Sequence, residues 1–225
     1  MRRRGIGTVA VVVALALMIT GPGAVAVASP ARPYGASVGT WAGRWWQWIF
    51  SMPLDENHPF ADTTGANCGN GQSANQMWFL AGVNNTSGEP TRGCEVPSGR
   101  MIFFPVLNVE CSTLEAPPFY GKDAAELKAC AESFKMEDMY ATLDGMDVPM
   151  KMVTSGVFDF TVQEGWEDGN YFAPGTKVGD EGQSVAHGAH VLLPPLPPGS
   201  HLLEFGGYFP DFDFQLDITY QLTVG

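Results

Sequence analysis

The chain has 225 residues, with 24 acidic side chains against 12 basic ones and a formal charge of −12. Phosphate contact needs clustered Lys and Arg, so this balance excludes a nucleic-acid partner from the expectations. An apolar share of 45% is enough to bury one substantial core, and 27 Gly with 17 Pro point to a turn-rich, mainly β chain.

Residues 1–28 begin with three arginines, continue through an apolar run from Val9 to Ile19, and close on the small residues Ala26, Val27 and Ala28. That order reads as an export signal cut after Ala28. Arg2 and Arg3 admit a twin-arginine route, but the rest of that motif is missing and the general secretory reading is preferred. The run is short for an anchor, and no later segment reaches about 18 unbroken apolar residues. The expectation is a secreted, extracellular chain with no transmembrane anchor after signal removal, built as one domain over 29–225. Loss of the three arginines takes its charge to about −15.

The segment "GTWAGRWWQWIFSMP", 39–53, holds four of the six tryptophans. At about 100° per residue, Trp41, Trp45, Trp48 and Met52 form one helical stripe, and Trp46 with Phe50 forms a second pair on the flank. Ser37 or Thr40 can cap the start, and Pro53 ends the helix. The apolar arc is about 200° wide, twice what one packed face needs. Its stripe reads as core; its Trp46 and Phe50 flank needs a second cover, from this chain or from another copy in a homo-oligomer.

Four cysteines in an exported chain read as two disulfides, and nearest-neighbour pairing, Cys68 with Cys94 and Cys111 with Cys130, is preferred. Strands are expected at "MWFLAG", "MIFFPVL", "VFDFTV", "AHVLL" and "HLLEFGGYF", and the strict alternation of "FQLDITYQLTV" predicts a long strand with one wet face. Asp144 and Gly145 supply the positive φ angles of a two-residue hairpin turn in "MYATLDGMDVPM", while Pro149 marks an edge or bulge. A second helix fits "DAAELKACAESF", capped by Asp123 with Glu126 three residues on. The fold class is therefore mainly β, an antiparallel β-sandwich or jelly-roll-like domain with an N-terminal Trp-rich helix and one further short helix.

Candidate chemistry is sparse. The segment 163–184 is long for a loop and carries Glu164, Glu167, Asp168, Asp180 and Glu181 around Trp166 and Tyr171. Carboxylates beside an exposed aromatic can take sugar hydroxyls and the apolar ring face, or calcium, although no EF-hand spacing is present; the plain alternative is a solvated acidic loop. His187 and His190 lie three apart, which on a strand sends them to opposite faces and weakens a metal reading. Met136, Met139, Met146, Met150 and Met152 have copper-binding chemistry, but Met146, Met150 and Met152 share strand parity, and core packing is the preferred reading. Asp211 and Asp213 read as surface charges, and His58 and His201 as structural histidines. No metal or other cofactor is expected, and no hydrolase elbow, zinc-protease or phosphate-loop motif occurs.

Taken together, "W-x-x-x-W-W-Q-W", "C-x-x-x-Q", "WFLAG", "R-x-C-x-V-P-x-G", "FFPVLN", "LDG" and "PLPPGSHLLEFGG" resemble a broad group of uncharacterised secreted bacterial proteins, from about Trp41 to the C-terminus. The resemblance implies an exported β-rich chain and supplies no activity. The segment His187 to His190 departs from the Asp-Gly-Tyr-Trp-like pattern of that group. The leading functional expectation is a non-enzymatic extracellular binding protein for a glycan or envelope component, with Trp166, Glu167, Asp168, Tyr171, His187 and His190 as candidate contacts. The alternatives are an exported hydrolase or lyase with a carboxylate or His site, and a structural, self-associating envelope protein.

Overall fold

Tryptophan at helical spacing, a hydroxyl cap and a terminating proline act together at the start of the fold. The computed structural model, which describes residues 35–74, 76–83, 90–169 and 171–225, winds Val38–Phe50 into helix α1. The segment expected as an export signal, 1–28, lies outside the described residues. Ser37 is the cap, its hydroxyl accepting from Thr40 N at 3.1 Å. Gly39 has a packing reason: a Cβ there would sit 2.8 Å from Thr154 O, so only glycine lets α1 approach the sheet this closely.

Ten strands make up the rest of the framework: β1 (Met77–Phe79), β2 (Thr91–Val96), β3 (Met101–Ser112), β4 (Glu137–Leu143), β5 (Met146–Asp147), β6 (Lys151–Thr154), β7 (Phe158–Thr161), β8 (Glu181–Leu193), β9 (Gly199–Phe209) and β10 (Phe214–Val224). Helix α2 (Ala124–Ala131) lies between β3 and β4, capped by Asp123 as expected. One sheet runs β1-β3-β8-β6, with β7 also paired to β8; the other runs β2-β10-β9-β4-β5. Both are mixed rather than purely antiparallel, because the short edge strands β1 and β2 pair parallel to β3 and β10. Strand β2, "TRGCEV", has no apolar alternation to announce it in the sequence; its side chains alternate between exposed positions and buried Arg92, Cys94 and Val96.

The chain builds three layers. Ile102, Phe104 and Val106 of β3 meet Leu203, Phe205 and Ile218 between the sheets, while Phe103, Leu192 and Phe160 on the other side of the first sheet meet Trp45, Ile49 and Phe50 of α1. Cover on both faces explains why β3 is apolar almost without interruption. A fully buried tryptophan contributes on the order of 5 kcal/mol, from about 200 Å² at about 25 cal/mol/Å². In β10, Leu216, Ile218, Tyr220, Leu222 and Val224 are buried on one face, as their spacing predicts.

Both disulfides pair as expected. Cys68–Cys94 ties the segment after α1 to β2, and Cys111–Cys130 ties β3 to α2. Closing loops of 26 and 19 residues contributes roughly 3 kcal/mol each. The hairpin turn falls at Asp144 and Gly145, with φ of 53° and 77°. Two expectations are corrected. Met146 and Met152 are 56% and 49% exposed, because the chain passes from one sheet to the other between them and shared parity no longer means a shared face. Trp46 and Phe50 are 4% and 2% exposed, covered by Phe60 and by Trp166, Tyr171 and Phe172 of this same chain, so that flank offers no seam to a second copy.

Candidate functional site

Strand β3 carries a bulge at its middle: Pro105 pairs with His190 and Leu107 with Ala189, leaving Val106 as an extra residue. The extra residue reverses the parity of the strand beyond it. Before it, even-numbered Ile102 and Phe104 face the core between the sheets; after it, Leu107 and Val109 do. Glu110 is thereby turned, with its cross-strand partner Ala186, towards the α1 side.

Glu110 is 1% exposed and Glu115, on the loop after β3, is 6% exposed. Their carboxyls hydrogen-bond to each other, which requires a proton held between them. Apart from the shared proton, Ser112 and the Tyr171 hydroxyl, no donor among the described residues serves Glu110 Oε1 or Glu115 Oε2. Ser184 Oγ contacts Glu110 Oε2 and also Cys111 O at 2.9 Å. The Ser184 hydroxyl has one proton for these two acceptors, and where it donates to Glu110 it favours the ionised carboxyl. Burial works the other way and wins: it pushes the Glu110 carboxyl up to about 7 against partial relief from Glu115, Ser184 and Tyr171. Burial, then the Glu110 charge, holds Glu115 well above the usual carboxyl range. The Tyr171 hydroxyl, beside both, is raised well above its ordinary value by burial and then by the two carboxyls, and stays neutral.

These groups open into a cavity of about 630 Å³. Its apolar walls are largely aromatic, including Trp45, Trp46, Phe60, Phe119 and Phe212, and its polar lining includes Asn108, Glu110, Glu115 and Tyr171. No Lys, Arg or His is among the lining residues. The two neighbouring tryptophans differ in one respect. Trp45 Nε1 donates to Leu80 O at 2.8 Å, whereas Trp46 Nε1 has no partner among the described residues, and neither has Asn108 Nδ2. A buried unpaired donor costs about 1–3 kcal/mol, and both belong to residues that line this cavity.

Of the residues singled out in the sequence as candidate contacts, Tyr171 alone lines this cavity. Trp166 provides no exposed platform: its ring is fully buried against Phe50, His58 and Tyr171, and its Nε1 donates to Met52 O at 2.8 Å. Glu167 is partly buried, with Oε2 unpartnered among the described residues, and exposed Asp168 accepts from Gly175 N at 3.1 Å. His187 and His190 both lie on β8. His187 Nδ1 donates to Thr154 Oγ1 at 2.9 Å, and that hydroxyl donates to Glu132 at 2.6 Å. His190 stacks on Phe103 inside the sheet layer, where burial pushes its imidazole down to about 4 and keeps it neutral. No group of three His, Cys, Asp or Glu side chains converges as a metal would need among the described residues. His58 is structural, donating from Nε2 to Ile49 O and accepting from Phe60 N. Asp211 accepts from Lys135 N and Asp213 from the Tyr208 hydroxyl, so they do not act as a pair, although Asp213 lines the cavity.

Glu110 and Glu115 are absent from the sequence-based candidates. The available signal is the alternation Asn108, Glu110, Ser112 inside an otherwise apolar strand. Fold and site together define a disulfide-bonded mixed β-sandwich with a ligand-sized cavity beside its tryptophan helix. No helix among the described residues is long and apolar enough to cross a membrane. No family model and no curated protein matches the chain. Among solved structures it is similar to a chain from "Structure of PbICP-C in complex with falcipain-2", at 9% identity, covering 67% of this chain and 100% of that one, with a TM-score of 0.27. A likeness that low carries no functional argument.

Proposed function

We propose that the chain is an extracellular binding protein that takes a glycan, or another hydroxyl-bearing envelope component, into the cavity between α1 and the bulged end of β3. The export signal read in 1–28, the two disulfides and the resemblance to secreted bacterial proteins support its place outside the cell. The observation that carries the reading is the pair of unpartnered donors, Trp46 Nε1 and Asn108 Nδ2, in an aromatic-walled cavity that also presents two carboxyls. A sugar ring matches that set: its hydroxyl oxygens accept from Trp46 and Asn108, its hydroxyl protons go to carboxyl oxygens, and its C–H face lies on the aromatic wall.

The proton shared by Glu110 and Glu115 favours a second reading, an exported hydrolase. Binding is preferred because carboxyls in hydrogen-bond contact cannot flank a glycosidic bond, which needs them about 5 Å or more apart. The test is retention of the purified protein on immobilised envelope and plant polysaccharides, with chromogenic glycosides and esters assayed in parallel. Retention without turnover is expected, and Trp46→Phe, which keeps a ring but loses the N–H, should weaken binding roughly 5- to 10-fold. No retention on any polymer contradicts the reading, and turnover abolished by Glu110→Gln replaces it with the second.

A further inference from the structure

We propose that the cavity selects a glycan carrying a free, protonated amine, with Glu110 and Glu115 seating the ammonium group. This rests on the glycan reading above and adds the chemistry of the substituent. Two carboxyls face each other with no cationic side chain in the cavity lining, and they avoid a buried pair of like charges only by keeping a proton. An ammonium group replaces that proton with a full counter-charge. Its three N–H donors match the three acceptors that meet here, the carboxyls of Glu110 and Glu115 and the Tyr171 hydroxyl oxygen.

The surroundings argue the same way. Trp46 and Phe60 are among the aromatic residues of the wall, and aromatic rings favour a cation in a partly desolvated site. A chain of net charge −12 attracts cations and repels acidic sugars. The acidic pair does not stand alone as evidence: Trp46, 4% exposed, lines the same cavity with an unpartnered Nε1, a donor for the hydroxyl oxygens of the ring that bears the amine. The proton balance is simple. The ammonium enters with its three protons, both carboxyls ionise, and the protons they held leave to solvent, two where both carboxyls are protonated below about pH 7. The groups facing the pair are Ser112 from β3, Ser184 from β8 and Tyr171 from the 163–180 segment; α1 presents Trp45 and Trp46, and Asp213 stands in the cavity wall.

The test is calorimetric titration of the whole chain at pH 6.5 with glucosamine oligomers, N-acetylglucosamine oligomers of equal length, and lysine amide, each in two buffers of different ionisation enthalpy. The expected result is binding of the glucosamine oligomer roughly tenfold or more tighter than of the other two, with a buffer-dependent heat that reports proton release. Glu110→Gln, or Glu115→Gln if the first variant does not fold, should remove both the preference and the proton release. Equal or tighter binding of the N-acetylated oligomer overturns the amine proposal and leaves the glycan reading standing. Equal binding of lysine amide overturns the requirement for a sugar, and binding of no oligomer overturns the glycan reading and this proposal together.

Discussion

The two halves of β3 run through the same sheet, pair with the same strand β8 and are both largely buried, yet they are made of different material; β1 pairs only with Met101–Phe103 of the first half. From Met101 to Pro105 every side chain is apolar; from Asn108 to Ser112 one face presents Asn108, Glu110 and Ser112. The Val106 bulge separates the halves and turns the polar face towards the α1 side of the sheet, where Asn108 and Glu110 line the cavity. Burying a carboxyl pair without a counter-charge does not stabilise a fold. The first half holds the protein together, and the second spends stability on a site.

Substitutions can break this contrast. Phe103 is fully buried, stacked on His190 and edge-on to Phe79, so Phe103→Ala should cost about 3–5 kcal/mol in urea unfolding. Glu110→Gln should act in the opposite direction at neutral pH. Folded Glu110 keeps its proton to about pH 7 while the unfolded chain loses it near 4.5, so the wild-type protein loses stability as pH rises through that window. The loss is on the order of 3 kcal/mol at most. The Gln variant lacks the Glu110 share of this slope, and unfolding at pH 4.5 and 7.5 should show it gaining on the wild type at the higher pH. Trp46→Phe should be smallest, within about 1 kcal/mol in thermal melts, because no described group bonds to its Nε1. A cost for Glu110→Gln as large as that for Phe103→Ala, at both pH values, would erase the distinction between the halves.

Local chemistry made much of the fold legible. The Ser37 cap, the tryptophan spacing, the Asp144–Gly145 turn, the β10 alternation and the cysteine pairing each depend on residues close in sequence, or on a short menu of pairings. The features that stayed hidden depend on contacts between distant segments. Asn108, Glu110 and Ser112 alternate as a solvent-facing strand does, and only Tyr171, more than fifty residues away, and Glu115 show that this face is covered. Trp166 misled for the same reason: an aromatic among acidic residues looks exposed until Phe50 and His58 are seen to enclose it. The clue that did cross this distance was the width of the apolar arc on α1. Trp46 and Phe50 required a second cover, and the segment supplying it also walls the cavity.

The proton held between Glu110 and Glu115 is the feature that separates a site from a core, and carbon-13 NMR of the glutamate side-chain carboxyls between pH 3 and 9 observes it directly. Glu110 should titrate near 7 and Glu115 well above the ordinary carboxylate range, their curves coupled, with Glu110→Gln collapsing the pair to a single transition. Independent titration of both carboxyls near 4.5 would mean that they are solvated and apart, and the site would be contradicted at its centre.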